Sequence, residues 1–394
     1  VLEMHRTKTN RERKVEEECD PSILILTLPF NGNYGGILQG YALSRVVKLI
    51  SYNSKIVDVQ GDLLSLNGFQ TFFRCLIRKL QTLCGMTWER RSISHLLELK
   101  FAADFWRLIS SKTSPLIDFQ KVKKYQESRW IVGSDQIWRG GYAKHSGGLA
   151  LFFLDFVHDE TRRRSIAYAA SFGTDQWEGT PEELETCGRL LKHFKAISVR
   201  EYSGIVLCKN LFGIDAVQMP DPTLLLNVKD YEEIIRMKRT KSHKGAFIAA
   251  YLLDETQEKL DALSHISSDL DLPIQHLTSR FTSKTLHTLL SMKVPQWLKY
   301  LQEASYVITD SFHGCVFSII FNRPFLCFGN AGRGNTRFDT LLSTFHLESR
   351  LLSEGVSATT RLIEPIDWEE VNRIHQNEQC RGIAFLRENL STIR

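Results

Sequence analysis

The chain has 394 residues, 43% of them hydrophobic and 24% charged, and a net charge of +5 at neutral pH. This length gives room for two domains of ordinary size, each with its own core. The balance of hydrophobic and charged residues is typical of a globular protein and excludes a long disordered or low-complexity chain.

The chain contains no apolar run of the roughly 18 residues that a transmembrane helix needs. Residues 1–20 form a charged extension without the apolar stretch of a signal peptide, so we expect a cytoplasmic protein. The eight cysteines are scattered and form no Cys-x-x-Cys motif. This favours free thiols over a disulfide framework, and we expect no metal site.

Positive charge is concentrated between Ser65 and Tyr125, where 11 Lys and Arg stand against 4 Asp and Glu. Such a segment could face anionic lipid, giving peripheral contact with the inner membrane, or a diphosphate-linked substrate. A solvated helical face explains the same residues. We expect no nucleic-acid partner.

The first half of the chain alternates short apolar runs with helical patterns. Ser22 to Leu28 predicts a strand, Asn31 to Gly36 a glycine-rich loop, and Leu64 to Ser111 a helical stretch with a break near Gly85. Further strands are predicted at Lys55–Val59, Trp130–Gly133, Ser165–Ala170, Ala196–Val199 and Asp215–Met219, and helices at Glu182–Phe194 and Tyr202–Phe212.

A polar, basic stretch precedes a second series of alternating elements, and we place a linker between Asn227 and Lys244. Beyond it, strands are predicted at Ala246–Leu252, Pro273–Leu277, Tyr306–Thr309 and Pro324–Phe328, and helices at Glu255–Ser268, Pro295–Ala304, His313–Phe321 and Trp368–Leu390. This alternation predicts parallel sheets covered on both sides, with ligands at the carboxyl ends of the strands.

The predicted fold class is therefore α/β, with two Rossmann-like domains facing a central cleft. We expect an N-terminal domain over residues 21–227, with a basic helical insertion at 65–125, and a C-terminal domain over 228–366. The helix within 367–394 is expected to pack back on the first domain.

Asp310, Ser311 and His313 follow the predicted strand Tyr306–Thr309 and open a helix. The free N–H groups at such a helix start can hold a phosphate. An imidazole titrates near neutral pH, so His313 could give or take a proton. A helix-start residue satisfied by local hydrogen bonds explains the same position.

Arg200 follows the predicted strand Ala196–Val199 directly. A guanidinium there can bind a carboxylate or phosphate through two parallel hydrogen bonds. It could equally pair with Glu201 or a nearby aspartate.

Gly133, Ser134, Asp135 and Gln136 follow another predicted strand. Small residues there let a ligand approach the backbone, and Asp and Gln can bind sugar hydroxyls. A tight turn packed against Trp138 explains the same residues.

Two glycine-rich segments are weaker candidates for anion binding. Asn31–Gly36 has the position of a phosphate-binding loop but matches neither common glycine motif. Gly329–Arg337 contains Arg333 and Arg337 among glycines, as an anion-binding loop could. The alternative is that both arginines are solvent-exposed loop residues. For Asp221, before Pro222, we expect the role of a turn residue.

Taken together and in order, these segments resemble the polysaccharide pyruvyl transferase family. The matching pieces are Asn33-Tyr-Gly-Gly-Ile-Leu-Gln-Gly-Tyr-Ala-Leu43, Gly133-Ser-Asp-Gln-Ile-Trp138, Tyr168-Ala-Ala-Ser-Phe-Gly173, Ser198-Val-Arg-Glu201 with Ser203-Gly204, Asp221-Pro-Thr-Leu224, and Thr309-Asp-Ser-Phe-His-Gly314 with Phe317-Ser318. They extend from about Ile23 to Leu342, and their order and spacing carry the resemblance.

The resemblance implies a glycosyltransferase type B-like fold and a pyruvyl group transferred from phosphoenolpyruvate as donor, without a further cofactor. The implied acceptor is a hexose of a bacterial surface polysaccharide, such as an exopolysaccharide or capsule, or of its lipid-linked oligosaccharide precursor. The product is a cyclic ketal. The resemblance also suggests that His313 is catalytic and that Arg200 binds the donor, and we add Asp135 or Asp310 as a base.

The chain departs from the family pattern at Ser311, where many members have arginine two positions before the histidine. We therefore expect Arg200, Arg333 and Arg337 to anchor the donor more heavily. Further predicted substrate-binding residues are Ser311 itself, Asn33, Tyr34, Gly35, Ser134 and Gln136.

Two other functions fit the same sequence. A glycosyltransferase or epimerase that uses a nucleotide sugar would share the fold and the cleft. A non-catalytic glycan-binding protein would bind sugar without consuming phosphoenolpyruvate.

Overall fold

The computed structural model describes residues 23–30, 33–59, 102–109, 115–122, 128–277, 292–329, 334–352 and 364–391. The charged N-terminal extension, most of the predicted basic insertion and Arg333 lie outside these described residues. The proposed domain boundaries therefore stay a prediction.

Seven of the described strands form a first sheet, in which every pairing is parallel. They are β1 (Ile23–Leu26), β2 (Ser54–Asp58), β3 (Leu116–Asp118), β4 (Arg129–Val132), β5 (Ile166–Ala170), β6 (Ala196–Val199) and β7 (Val217–Gln218). Their order is β3-β2-β1-β4-β5-β6-β7. The order reverses between β1 and β4, and open α/β sheets bind ligands at such a reversal.

Five further strands among the described residues form a second parallel sheet. They are β8 (Ile248–Tyr251), β9 (Ile274–His276), β10 (Tyr306–Thr309), β11 (Phe325–Phe328) and β12 (Leu351–Leu352). Their order is β12-β11-β10-β8-β9, which reverses between β10 and β8.

The longer helices connect and cover these strands. They are α1 (Tyr34–Leu49), α2 (Pro181–Leu191), α3 (Tyr202–Phe212), α4 (Val228–Arg236), α5 (Gln257–Leu270), α6 (Val294–Glu303), α7 (Phe312–Ile320), α8 (Thr336–Thr344) and α9 (Trp368–Leu390). None of the described helices combines the length and the apolar composition that crossing a membrane requires.

The strands are buried on both faces, which explains why the sequence shows continuous apolar runs instead of alternating apolar and polar residues. Ile23 and Ile25 belong to a core that also contains Tyr251 and Val307 of the second sheet, whereas Leu24 and Leu26 face a separate core on the other side of the first sheet. One apolar layer therefore joins the two sheets. The predicted α/β class with two parallel sheets is confirmed.

The predicted linker over residues 227–244 is wrong in its first part, because α4 occupies residues 228–236. Asn227 and Asp230 form a capping box at its start. Tyr231, Ile234 and Ile235 are spaced for one helix face and are buried. Residues 237–245 between α4 and β8 contain no described helix or strand.

The C-terminal helix α9 packs against the segment that follows β7. The His375 ring contacts the Leu224 carbonyl oxygen at 2.8 Å, and Gln379 Nε2 donates to the Leu226 carbonyl at 3.0 Å. Gly382 faces Leu225 and the Tyr168 hydroxyl so closely that a Cβ would overlap both.

We expect Gly382→Leu to lower the free energy of unfolding by about 1–3 kcal/mol, because a larger side chain overpacks this contact. The control is Ala384→Leu, which adds the same side chain at an exposed position of the same helix. Urea denaturation measures both. Equal stability of the two variants would contradict the close packing of α9.

Candidate active site

Residues that follow the strands of both sheets converge on one buried cluster. Arg200 follows β6 and is 3% exposed, and Asp221, in the segment after β7, is 1% exposed. His313, in the first turn of α7 after β10, is 6% exposed. The structure therefore brings the predicted catalytic histidine and the predicted donor-binding arginine together.

Asp221 lies between these two side chains. Its Oδ2 accepts a hydrogen bond from Arg200 Nη1 at 2.8 Å, and His313 Nε2 lies 3.7 Å from the same oxygen. The second distance is that of an ion pair and is too long for a hydrogen bond. Asp221 Oδ1 accepts from the backbone N–H and the hydroxyl of Thr223, which fix the carboxylate.

The contacts of Asp221 keep it charged. Burial alone would raise its pKa, but His313, Arg200 and Thr223 outweigh this effect and hold the pKa well below the usual range. Our prediction of a simple turn residue was incomplete, since Asp221 forms the turn and also joins two predicted site residues.

Arg200 is surrounded by carboxylates but keeps free hydrogen-bonding capacity. Its Nη2 lies 3.7 Å from Asp135 Oδ1 and its Nε lies 4.0 Å from Glu201 Oε2. Burial alone would lower the pKa of Arg200, but Asp221, Asp135 and Glu201 raise it. Within the described part of the chain, neither Nε nor Nη2 has a hydrogen-bond partner.

The Phe312 ring lies against two guanidinium groups. Arg200 Cζ is 4.8 Å and Arg337 Cζ is 5.6 Å from the ring centroid. Burial, and then the charge of Arg200, lower the pKa of Arg337 to about 10, so it stays protonated at neutral pH. Arg337 is a residue of the first turn of α8, so the prediction that it belongs to a glycine-rich loop is wrong.

Gly35 and Gly36, which we predicted in a glycine-rich loop, lie in the first turn of α1, so the loop prediction is wrong for these two residues. The His313 ring lies so near Gly35 that a Cβ there would overlap Nδ1. A Cβ on Gly36 would lie 3.3 Å from Asp135 Oδ2. Glycine at these two positions therefore lets the start of α1 approach both α7 and the turn that follows β4.

Asp135 belongs to the cluster, whereas its neighbours mainly shape the turn. Ser134 Oγ accepts from the Asp135 N–H at 2.6 Å, and the Ser134 N–H donates to Gln39 at 3.2 Å. Gln136 Oε1 accepts from Arg139 Nη1 at 3.0 Å.

The remaining predicted residues have other surroundings. Asn33 is exposed at the start of α1, and the Tyr34 hydroxyl is buried and donates to the Met292 carbonyl. Ser311 caps α7, with its hydroxyl oxygen accepting from the Gly314 N–H at 3.4 Å. The structure does not bring the Tyr34 side chain to the cluster, and Arg333 lies outside the described residues.

The carboxylate of Asp310 is occupied by structural contacts. Oδ1 accepts from the Leu253 N–H, and Oδ2 accepts from the Asp254 N–H at 3.0 Å and from Lys259 Nζ at 2.7 Å. These bonds tie the segment after β8 to the end of β10. They favour a structural role over the predicted role as a base.

Comparison with known protein families now identifies the chain. Residues 33–332 match the family model described as polysaccharide pyruvyl transferase. The chain belongs to the polysaccharide pyruvyl transferase family. Membership indicates a transferase that acts on a polysaccharide or sugar acceptor. The match contains His313, Arg200, Asp221 and Asp135 and ends before Arg337.

Comparison with curated proteins gives no match. Similar solved structures include a glycosyltransferase from Rickettsia africae (9% identity, 95% of this chain and 100% of that chain, TM-score 0.45). A UDP-N-acetylglucosamine 2-epimerase from Rickettsia bellii is 8% identical (94% and 99%, TM-score 0.43). MnaA of S. aureus, in a co-structure with UDP, is 11% identical (95% and 99%, TM-score 0.49).

Sequence reasoning named Glu201 only as a possible partner of Arg200, and it missed both the backbone contacts of Glu201 and the position of Phe312 in this transferase site. Glu201 Oε1 accepts hydrogen bonds from the Ser171 hydroxyl at 3.0 Å, the Phe172 N–H at 2.7 Å and the Gly173 N–H at 3.0 Å. The Phe312 ring packs against the guanidinium groups of Arg200 and Arg337. Glu201 stands beside Arg200 and Phe312 beside His313, but the local pattern does not show where either side chain points.

We expect Asp310→Ala to lower the free energy of unfolding by about 2–4 kcal/mol, because it leaves two backbone N–H groups and Lys259 without their acceptor. The control is Asp215→Ala at an exposed ion pair, with an expected cost below about 1 kcal/mol. Urea denaturation measures both. A folded, fully stable Asp310→Ala protein that has lost turnover would instead favour catalysis.

Proposed function

We propose that this transferase moves the pyruvyl group of phosphoenolpyruvate onto a hexose of a surface polysaccharide or of its lipid-linked precursor. The product is a cyclic ketal, and inorganic phosphate is released. The observation that supports this proposal best is the buried Arg200–Asp221–His313 contact. It combines a group that holds anions with one that moves protons.

The reaction makes two demands on the site. The donor's methylene carbon gains one proton and becomes a methyl group, while its central carbon bonds to two sugar oxygens and releases phosphate. Of the two hydroxyl protons lost by the sugar, one balances the proton on the methyl group and the other leaves with the phosphate. Positive charge develops at the central carbon, so the site must hold the donor's anionic groups and present an acid.

His313 is the proposed acid, either for the methylene carbon or for the departing phosphate. The Asp221 carboxylate lies 3.7 Å from Nε2 on one side of the ring, and Gly35 packs against Nδ1 on the other. This arrangement fixes the ring's orientation before the donor binds. An acid held in this way contributes roughly 10²–10⁴ to the rate of a proton transfer.

Arg200 and Arg337 are the proposed anchors for the donor. Two hydrogen-bonding nitrogens of Arg200 remain without a partner in the described structure and suit a carboxylate or phosphate oxygen. Asp221 and Asp135 balance the buried guanidinium of Arg200 when the donor is absent. Of the two bases we predicted, Asp135 is preferred, because the Asp310 carboxylate is already occupied.

We expect His313→Ala and His313→Gln to lower kcat by about 10²–10⁴-fold with donor affinity nearly unchanged. Phosphate release from phosphoenolpyruvate, in the presence of lipid-linked oligosaccharide, measures turnover. His276→Ala, at an exposed histidine, is the control and should keep full activity. Wild-type turnover in both His313 variants would exclude this histidine as the acid.

We expect Arg200→Lys to weaken phosphoenolpyruvate binding by about 10- to 100-fold, because an ammonium group cannot reproduce the planar set of N–H donors. Isothermal titration calorimetry measures the affinity. The control is Arg162→Lys, at a buried arginine that bonds the Leu154 and Val157 carbonyls. Undiminished affinity in Arg200→Lys and in Arg200→Ala counts against the assignment.

The nature of the released product separates this proposal from a function with a nucleotide sugar. Pyruvyl transfer releases inorganic phosphate and adds a ketal to the acceptor, which mass spectrometry detects. Transfer from a nucleotide sugar releases a nucleoside diphosphate instead.

A further inference from the structure

A cavity of about 390 Å³ lies between α3 and α8. Tyr202 and Ser203 on one wall follow Arg200 in the chain, and Thr336 on the other directly precedes Arg337. The two walls are thus continuous with the segments that carry the site arginines. They are held together where the Tyr202 N–H donates to Thr340 Oγ1 at 3.1 Å.

The lining has the chemistry of a site for a neutral, hydroxyl-rich molecule. Ser203 Oγ and Thr336 Oγ1 are buried atoms without a hydrogen-bond partner among the described residues, and buried hydroxyls are normally bonded. Asp339 and Glu348 add carboxylates that accept hydrogen bonds from hydroxyl groups. None of the described residues that line the cavity is Lys or Arg, which disfavours a phosphate or diphosphate.

Tyr202 adds an apolar surface. Its side chain is half-exposed at the cavity, so one face of the phenol ring is available to a ligand. A sugar presents C–H groups on one face of its ring and hydroxyls around the edge, and an aromatic ring with polar neighbours complements both. The volume is at the small end of the roughly 300–1,000 Å³ of ligand pockets, which suits one or two sugar rings.

We propose that this cavity binds the acceptor hexose, with Tyr202 against the ring face and Ser203, Thr336 and Asp339 bonded to hydroxyls. Calling this sugar the acceptor rests on the proposed pyruvyl transfer. The sugar-binding site itself does not, because it follows from the lining alone.

The first test measures sugar binding by the full-length protein without phosphoenolpyruvate. Methyl hexopyranosides of the gluco, galacto and manno series serve as probes in saturation-transfer NMR. We expect at least one to bind at millimolar concentration. Tyr202→Ala and Thr336→Val should each weaken that binding about tenfold, whereas Tyr202→Phe should retain it. Val206→Ala, at another exposed position of α3, is the matched control.

The second test measures pyruvyl transfer in the same variants. We expect the KM for the acceptor to rise about tenfold in Tyr202→Ala and in Asp339→Asn, with phosphoenolpyruvate affinity unchanged. Unchanged acceptor KM and unchanged sugar binding in these variants would overturn the cavity assignment and leave pyruvyl transfer standing. The absence of binding by every probe to the wild type would also overturn it. Sugar binding that depends on Tyr202, without any consumption of phosphoenolpyruvate, would support the cavity and refute the proposed function.

Discussion

The ion pair between Arg200 and Asp221 is the contact on which the candidate site depends. Arg200 leaves the end of β6 and Asp221 follows β7, and both side chains are almost completely buried. Two isolated charges at this depth would be strongly unfavourable, so each requires the other. The same Asp221 oxygen lies 3.7 Å from Nε2 of His313 in α7, so the ion pair also reaches the helix that follows β10 of the second sheet. The proposed donor-binding arginine and the proposed acid therefore share one carboxylate.

Two glycines allow the His313 ring to lie close to that carboxylate. Gly35 has no side chain at the point where the His313 ring approaches α1, and Gly314 has none where α7 passes Thr309. Thr309 Oγ1 in turn donates to the Tyr251 carbonyl at 2.7 Å and accepts from the Ser311 N–H, which sets the start of α7 relative to β8 and β10. The position of the imidazole thus follows from close backbone packing as much as from its ion pair.

The sequence predicted those parts of the fold that depend on local pattern. β6, β10, α3 and α9 lie where apolar spacing placed them, because buried parallel strands and amphipathic helices leave strong periodic signals. Two short strands, β3 and β12, were missed, whereas the equally short β7 and β9 lie within the longer segments predicted at Asp215–Met219 and Pro273–Leu277. Asp221 was undervalued as well. Its partners are 21 and 92 positions away, and no local pattern encodes an ion pair between residues so distant in the chain.

The departure at Ser311 shows how the cluster distributes positive charge. A serine at this position caps α7 through its hydroxyl, a role that requires a short side chain. The cations come instead from Arg200 and Arg337, which approach the Phe312 ring from β6 and α8. An aromatic ring with two guanidinium neighbours stabilises both while making no hydrogen bonds to them. The N–H groups of Arg200 that bond neither Asp221 nor any other described residue therefore stay available for the oxygens of an anionic donor, beside the histidine proposed to supply the proton.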